Sequence, residues 1–196
     1  MSAASLHPAL LDALVRVLRA GGVVACPTET FFGLLADARN PAAVQRVCDL
    51  KGRSEQHTMG VLVPDLAALQ ELVVDIPPRA RALAEQHWPG PLTLVLRVRE
   101  GLPAALHKDG KLGARIPGPS PALDLVRAFG GALTATSANK TGEPAAVNDG
   151  EVQAAFGSAL DAIVAGTSPG GLPSTLVDAT SDALVLIREG AVILPR

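Results

Sequence analysis

Apolar residues near the start of the chain recur at helical spacing and then give way to a short apolar run. Between positions 8 and 20 they fall three or four residues apart, at Leu10, Leu11, Leu14, Val17 and Leu18. This spacing predicts an amphipathic helix, which the glycine pair at 21–22 ends. The run GVVAC at 22–26 then predicts a short buried strand.

The same periodicities divide the rest of the chain. Helices are predicted at 41–50, 65–73, 78–87, 120–129 and 149–156, and strands at 60–63, 92–98, 111–116, 132–136, 160–164, 174–177, 184–187 and 192–194. Helices and strands interleave without strict alternation, which favours a mixed sheet covered by helices over a purely doubly wound fold. The chain has no long linker and no repeat, so we expect one domain over 1–196 and no C-terminal extension domain.

Composition and charge narrow the class of protein. Hydrophobic residues make up 48% and charged residues 18% of the 196, which is typical of a globular chain able to bury a core. The net charge of −2 argues against a nucleic-acid binder that depends on charge over its whole surface, but it allows a local basic cleft. We expect Cys26 and Cys48 to be buried free thiols. The start of the chain has no basic leader, and no apolar run reaches the roughly 18 residues of a membrane span, so a cytoplasmic protein is predicted.

Common catalytic motifs are missing from the sequence. It contains no phosphate-binding GxxxxGK[ST], no GxGxxG, no HExxH and no CxxC, and its four histidines lack ligand spacing, so no metal cage of protein ligands is expected. Residues 166–170 fit GxSxG. That motif requires a helix directly after it, whereas Gly171 and Pro173 follow here, which disfavours a serine hydrolase.

Polar residues instead collect where predicted strands and helices end. They are Thr28, Glu29, Thr30, Lys51, Arg53, Arg115, Thr136, Ser137, Asn139, Ser174, Thr175 and Arg188. Each alone could be a helix cap or a solvated side chain. Together, cations and hydroxyls suit a cleft for a nucleoside triphosphate and a carboxylate. No base or nucleophile stands out, which favours chemistry by positioning and charge neutralisation.

Segments in order along nearly the whole chain resemble the YrdC-type threonylcarbamoyl-AMP synthases. They are CPTETFFGLLAD at 26–37, LKGR at 50–53, WPGPLTLVL at 88–96, ARIP at 114–117, SANKTG at 137–142, PSTLVD at 173–178 and REG at 188–190. The resemblance implies a three-layer α/β fold, with a twisted mixed sheet flanked by helices and a concave cleft, similar to dihydroxybutanone phosphate synthase.

The resemblance also implies a reaction and its partners. The family joins L-threonine, bicarbonate and ATP into threonylcarbamoyl-AMP and pyrophosphate, for threonylcarbamoyladenosine modification of tRNA. Mg²⁺ is expected to come with ATP, with few protein ligands. Contact with tRNA and with downstream threonylcarbamoyl-transferase proteins is possible within this family, and no membrane partner is implied.

Residue roles carried over from the motifs divide into two groups. Threonine binding is expected of Thr30, Arg115, Ser137 and Ser174. ATP binding is expected of Lys51, Arg53, His57, Lys111, Asn139, Val147 and Arg188, with Lys51 and Arg53 carrying the chemistry and Val147 acting through its backbone. We expect Thr28 and Glu29 to brace the turn beside Thr30.

The sequence departs from the family pattern at a few positions. Phe32 replaces the usual tyrosine, Thr136 replaces the proline before Ser-Ala-Asn, and the loop after Arg53 reads SEQHTMG. The altered loop motivates an alternative hypothesis, a paralogue that binds nucleotide or structured RNA without making the adenylate.

Overall fold

A computed structural model of the protein describes residues 5–52 and 58–194. Its helices are α1 (Pro8–Arg19), α2 (Pro41–Lys51), α3 (Leu66–Gln70), α4 (Pro78–His87), α5 (Pro121–Phe129) and α6 (Asp149–Phe156), with short 3₁₀ turns at Ala104–Leu106 and Gly157–Ala159. Side chains before several helices explain where they begin. The side chains of Asn40, Ser120 and Asn148 accept hydrogen bonds from backbone N–H groups in the first turns of α2, α5 and α6.

Within the described residues, the strands form a ten-stranded mixed sheet. They are β1 (Val24–Pro27), β2 (Phe32–Leu35), β3 (Gly60–Leu62), β4 (Leu92–Arg97), β5 (His107–Lys108), β6 (Lys111–Arg115), β7 (Leu133–Ser137), β8 (Ala162–Ile163), β9 (Thr175–Asp178) and β10 (Val185–Arg188). Their order is β10-β9-β4-β6-β3-β7-β2-β1-β8, with β5 paired to β6. Parallel pairs (β3 with β6, β4 with β9, β1 with β8) stand among antiparallel ones, which confirms the predicted mixed α/β fold.

One face of the sheet is covered and the other is partly open. In β4 the leucines Leu92, Leu94 and Leu96 are fully buried, while Thr93 and Val95 between them are half-buried. Since side chains alternate across a strand, Thr93 and Val95 point to the less covered face. That face lines the cleft described below.

The structure corrects the sequence prediction at several elements. The strands Phe32–Leu35 and His107–Lys108 were not predicted, and the predicted helix at 65–73 and strand at 160–164 are shorter in the structure. The predicted strand at 192–194 is wrong. There the backbone N–H and carbonyl of Val192 bond to the hydroxyl of Thr175 instead of a neighbouring strand.

Two further expectations concern the thiols and the membrane. Cys26 and Cys48 are both buried, as predicted, and burial raises the pKa of the Cys26 thiol. Within residues 5–52 and 58–194, no helix is long and apolar enough to span a bilayer.

Candidate functional site

An open cleft of about 490 Å³ lies over the half-buried face of the sheet. The candidate site residues that line it are Thr30, Lys111, Arg115, Ser137, Ser174 and Arg188. These residues come from five separate parts of the sequence, so the fold gathers most of the set that was chosen from sequence. Arg53 and His57 lie outside the described residues.

The β1–β2 hairpin brings Thr30 to the cleft. The Thr28 hydroxyl donates to the Phe31 carbonyl (2.7 Å) and accepts from the Thr30 N–H (3.1 Å). The Thr30 carbonyl accepts from the N–H of Gly170, at 2.7 Å. Thr28 therefore braces the turn, as expected, and the backbone of Thr30 is fixed from both sides.

Glu29 holds Arg115 in a buried ion pair. Glu29 Oε1 lies 2.5 Å from Arg115 Nη1, and the two side chains are only 12% and 10% exposed. Burial lowers the pKa of the Arg115 guanidinium, Glu29 works in the opposite direction, and the nearby charge of Arg188 lowers it further. Arg115 and Arg188 carry two positive charges against the one carboxylate of Glu29, which leaves positive charge at this end of the cleft and suits an anionic ligand.

Arg188 is hydrogen-bonded to the segment that carries Ser174. Its Nη2 donates to the Ser174 carbonyl at 2.9 Å and lies 3.4 Å from the Ser174 hydroxyl oxygen. Gly190 packs so tightly here that a Cβ would stand 2.3 Å from the carbonyl oxygen of Pro173. The Arg-x-Gly motif therefore requires its glycine for close backbone approach.

Lys51, at the end of α2, is buried under the loop that follows β7. Its ammonium donates to the carbonyls of Ser137 (2.5 Å) and Asn139 (2.8 Å) and to Asn139 Oδ1 (3.0 Å). The amide nitrogen of Asn139 donates to the carbonyls of Lys140 and Glu143. Lys51 and Asn139 therefore lie behind the cleft wall and stabilise the loop that forms it. The ATP-binding roles assigned to these two residues stay predictions.

Val147 also has its backbone engaged in the protein. Its N–H donates to Glu151 Oε2 and its carbonyl accepts from the N–H of Ser168, both at 2.8 Å. A backbone contact to a nucleotide would therefore use the second lone pair of the carbonyl. In the following segment, Gly170 and Gly171 are not helical, so the GxSxG match at 166–170 does not form a nucleophile elbow.

Comparison with known proteins decides the family. The family model Sua5_yciO_yrdC, described as telomere recombination, matches residues 16–190. The chain belongs to the Sua5/YciO/YrdC family. It is 38% identical over 152 residues to the threonylcarbamoyl-AMP synthase of Nitrosococcus oceani, covering 77% of this chain and 82% of the relative. It is 35% identical over 180 residues to that of Thiobacillus denitrificans, covering 91% and 95%.

Solved structures of the Sua5/YciO/YrdC family share the fold. P. abyssi Sua5 complexed with L-threonine has a TM-score of 0.90 and 31% identity, over 96% of this chain and 56% of that one. E. coli YciO has a TM-score of 0.86 and 25% identity, over 97% and 93%. The chain thus spans about half the length of P. abyssi Sua5, and the resemblance drawn from the sequence motifs is confirmed.

Asp178 and Thr93 belong to the family motifs, but sequence analysis assigned them no role. Asp178 Oδ2 accepts from Lys111 Nζ at 2.8 Å, and its Oδ1 accepts from the backbone and hydroxyl of Thr180. Thr93 donates to the Ser174 hydroxyl. Strand alternation was the available signal for Thr93, because the leucines on either side of it occupy core positions.

The Lys111–Asp178 pair predicts an acid-dependent loss of stability. Partial burial opposes ionisation, but the bonds from Lys111 and Thr180 outweigh it and hold the pKa of Asp178 at about 2, against a usual 3.8. A depressed carboxylate pKa stabilises the fold above the unfolded-state pKa, and this contribution is lost as the pH falls through about 2. In urea unfolding, the stability advantage of the wild type over Asp178→Asn should shrink steadily below about pH 4.

Lys111→Met is the matched variant for this measurement. It removes one donor to Asp178 and keeps the carboxylate, so it should flatten the same pH dependence in part. If the free energies of unfolding of wild type and Asp178→Asn changed with pH in parallel down to pH 2.5, these hydrogen bonds would not depress the pKa of Asp178.

Proposed function

We propose that the protein is a threonylcarbamoyl-AMP synthase that uses L-threonine, bicarbonate and ATP and releases pyrophosphate. Curated relatives with this name align with most of the chain, which favours enzyme activity over a paralogue that only binds nucleotide or RNA. The observation that carries the proposal is the gathering of Thr30, Arg115, Ser137, Ser174 and Arg188 around one cleft. This set offers cations and hydroxyl groups to the substrates.

Arg115 is the group best suited to the carboxylate of threonine. A guanidinium binds a carboxylate through paired N–H donors, and here only Nη1 is bonded to Glu29 among the described residues. Thr30, Ser137 and Ser174 surround the same space and can hold the rest of the amino acid. Arg188 lies near Arg115 and lines the same cleft, so it can offset the negative charge of ATP.

The reaction needs no nucleophile from the protein. The amine of threonine and bicarbonate give a carbamate and water. A carbamate oxygen then attacks the α-phosphorus of ATP, forming a P–O bond while the bond to the β-phosphate oxygen breaks and pyrophosphate leaves. The protein's part is to hold two anions in line and to offset their charge.

Mg²⁺ is proposed to enter as the partner of ATP, where it would neutralise phosphate charge. Among residues 5–52 and 58–194, no group of three or more His, Cys, Asp or Glu side chains could form a protein cage for it. A magnesium ion bound mainly by phosphate oxygens and water fits this donor set.

Further proposals concern the setting of the reaction. The product carries an activated carbamoyl group, so we propose that a transferase uses it to modify tRNA. We also propose that the protein works in the cytoplasm. Direct tRNA contact would need local cations, such as those at the cleft, because the net charge of the chain is −2.

The proposal is tested with purified protein, ATP, Mg²⁺, L-threonine and labelled bicarbonate. We expect a labelled threonylcarbamoyl-adenylate and an equal amount of pyrophosphate, both dependent on threonine. Folded protein that binds ATP, yet forms neither product, would favour the paralogue hypothesis; salt-dependent tRNA binding without turnover would identify it.

Thr30→Val should raise the KM for threonine with little change in kcat. The substitution deletes one hydroxyl that lines the cleft, and a single neutral hydrogen bond is worth about 0.5–1.5 kcal/mol, or roughly two- to tenfold in KM. Thr30→Ser keeps the hydroxyl and is the matched control. An unchanged threonine KM in Thr30→Val would remove Thr30 from the threonine site.

A further inference from the structure

Thr93 is held in one orientation on the floor of the cleft. It lies on β4, and its hydroxyl donates to the hydroxyl oxygen of Ser174 at 2.9 Å. Its methyl group faces Gly113 on the neighbouring strand β6, where a Cβ would stand 3.4 Å from Thr93 Cγ2. A β-branched side chain with its methyl packed and its hydroxyl bonded has a single rotamer available, so the hydroxyl direction is fixed.

This contact determines where the Ser174 proton can point. A serine hydroxyl has one O–H donor and two acceptor lone pairs. The oxygen of Ser174 accepts from Thr93 and lies 3.4 Å from Arg188 Nη2, so both acceptor directions face protein donors. In the described part of the chain, the Ser174 hydroxyl donates to no acceptor, and the residue lines the cleft. The remaining direction for its O–H is into the open space.

We propose that Thr93 is a positioning residue that turns the Ser174 hydroxyl into a donor for the carboxylate of threonine. This inference rests on the proposed function, since it assigns the hydroxyl to the amino-acid substrate. Without Thr93, the Ser174 hydroxyl could rotate and donate to a protein oxygen or to water, and it would then meet the carboxylate with a lone pair. A fixed donor avoids that repulsion and the entropy of ordering the hydroxyl at each binding event.

The chain allows a matched pair of substitutions. Thr93→Val keeps the volume and the methyl over Gly113 but removes the donor, while Thr93→Ser keeps the donor and removes the methyl. We expect Thr93→Val to weaken threonine binding about three- to tenfold, the range for one net hydrogen bond, and Thr93→Ser to stay within about twofold. The thermal midpoint of each variant reports any general loss of packing.

A double-mutant cycle with Ser174→Ala separates positioning from structure. If Thr93 acts through Ser174, then Thr93→Val should add nothing to the binding loss of Ser174→Ala. Additive losses would mean that Thr93 contacts the substrate directly or shapes the cleft, and the proposal would be overturned. Equal threonine affinity in wild type and Thr93→Val would overturn it as well.

Calorimetric titration with L-threonine keeps this test independent of catalysis. Wild type that binds threonine but makes no adenylate would contradict the proposed function, while the cycle in binding would still decide the role of Thr93. Wild type that makes adenylate, with additive Thr93 and Ser174 effects, would leave the function standing and contradict only the positioning role.

Discussion

Lys51→Met is expected to lower the rate of adenylate formation about 100-fold, the loss that follows when catalytic groups move by about 1 Å. Lys51 donates to the carbonyls of Ser137 and Asn139 and to the Asn139 side chain. Removing the ammonium leaves buried acceptors without this donor, so the loop must shift to find others. The Ser137 hydroxyl in the cleft shifts with it. Steady-state kinetics with ATP and threonine should show the loss mainly in kcat.

Lys140→Met is the matched control for this experiment. Lys140 is an exposed lysine on the same loop, so the substitution makes the same change in charge and shape without removing the buried ammonium. We expect its rate to stay within about twofold, since exposed charges away from a site contribute little. A rate for Lys51→Met within a few-fold of wild type would show that the loop does not depend on this lysine.

Glu29→Gln is expected to lower the free energy of unfolding in urea by about 3 kcal/mol. Glu29 is the bonded carboxylate of Arg115, and both side chains are almost completely buried. The variant leaves the Arg115 charge buried beside Arg188 without its counterion, and removing one partner of a buried pair is far more costly than removing both. Anions that enter the cleft, such as phosphate, should restore part of the lost stability.

Glu71→Gln supplies the control for the buried pair. Glu71 is bonded to Arg39, at 3.0 Å, in a pair whose side chains are 70% and 58% exposed. An exposed pair contributes about 0–1 kcal/mol, so this variant should unfold close to wild type. Equal losses in Glu29→Gln and Glu71→Gln would mean that burial does not set the strength of the Glu29–Arg115 pair.

Elements with strong local signals could be predicted from the sequence. The helix at Pro78–His87 has the predicted bounds, and α2 begins at Pro41 after the Asn40 cap, as expected. The strand Phe32–Leu35 gave no such signal, because the polar turn at 28–30 interrupts the apolar run and the strand depends on pairing with β1. The segment at Val192 shows the reverse error: its apolar residues predicted a strand, but the backbone of Val192 bonds to the Thr175 side chain and not to a neighbouring strand.

In the candidate site, too, some residues could be predicted from the sequence and others could not. Motif residues such as Arg115 and Ser174 could be chosen from sequence because each stands at a strand end, and the fold gathers them. Their partners could not be chosen, because the pairing of Glu29 with Arg115 spans 86 residues and that of Thr93 with Ser174 spans 81. Contacts of this kind are set by strand order, and no local pattern in the sequence encodes it.

An enzyme that makes a carbamoyl-adenylate produces an acylating agent beside its own side chains. A lysine amine with an available lone pair can attack such an agent. The Lys51 side chain is buried and donates to the carbonyls of Ser137 and Asn139 and to Asn139 Oδ1, and the Lys111 amine donates to Asp178. The hydrogen bonds that build the cleft wall therefore hold these two amines on oxygen acceptors, which they would have to leave before attacking the adenylate that we propose is made here.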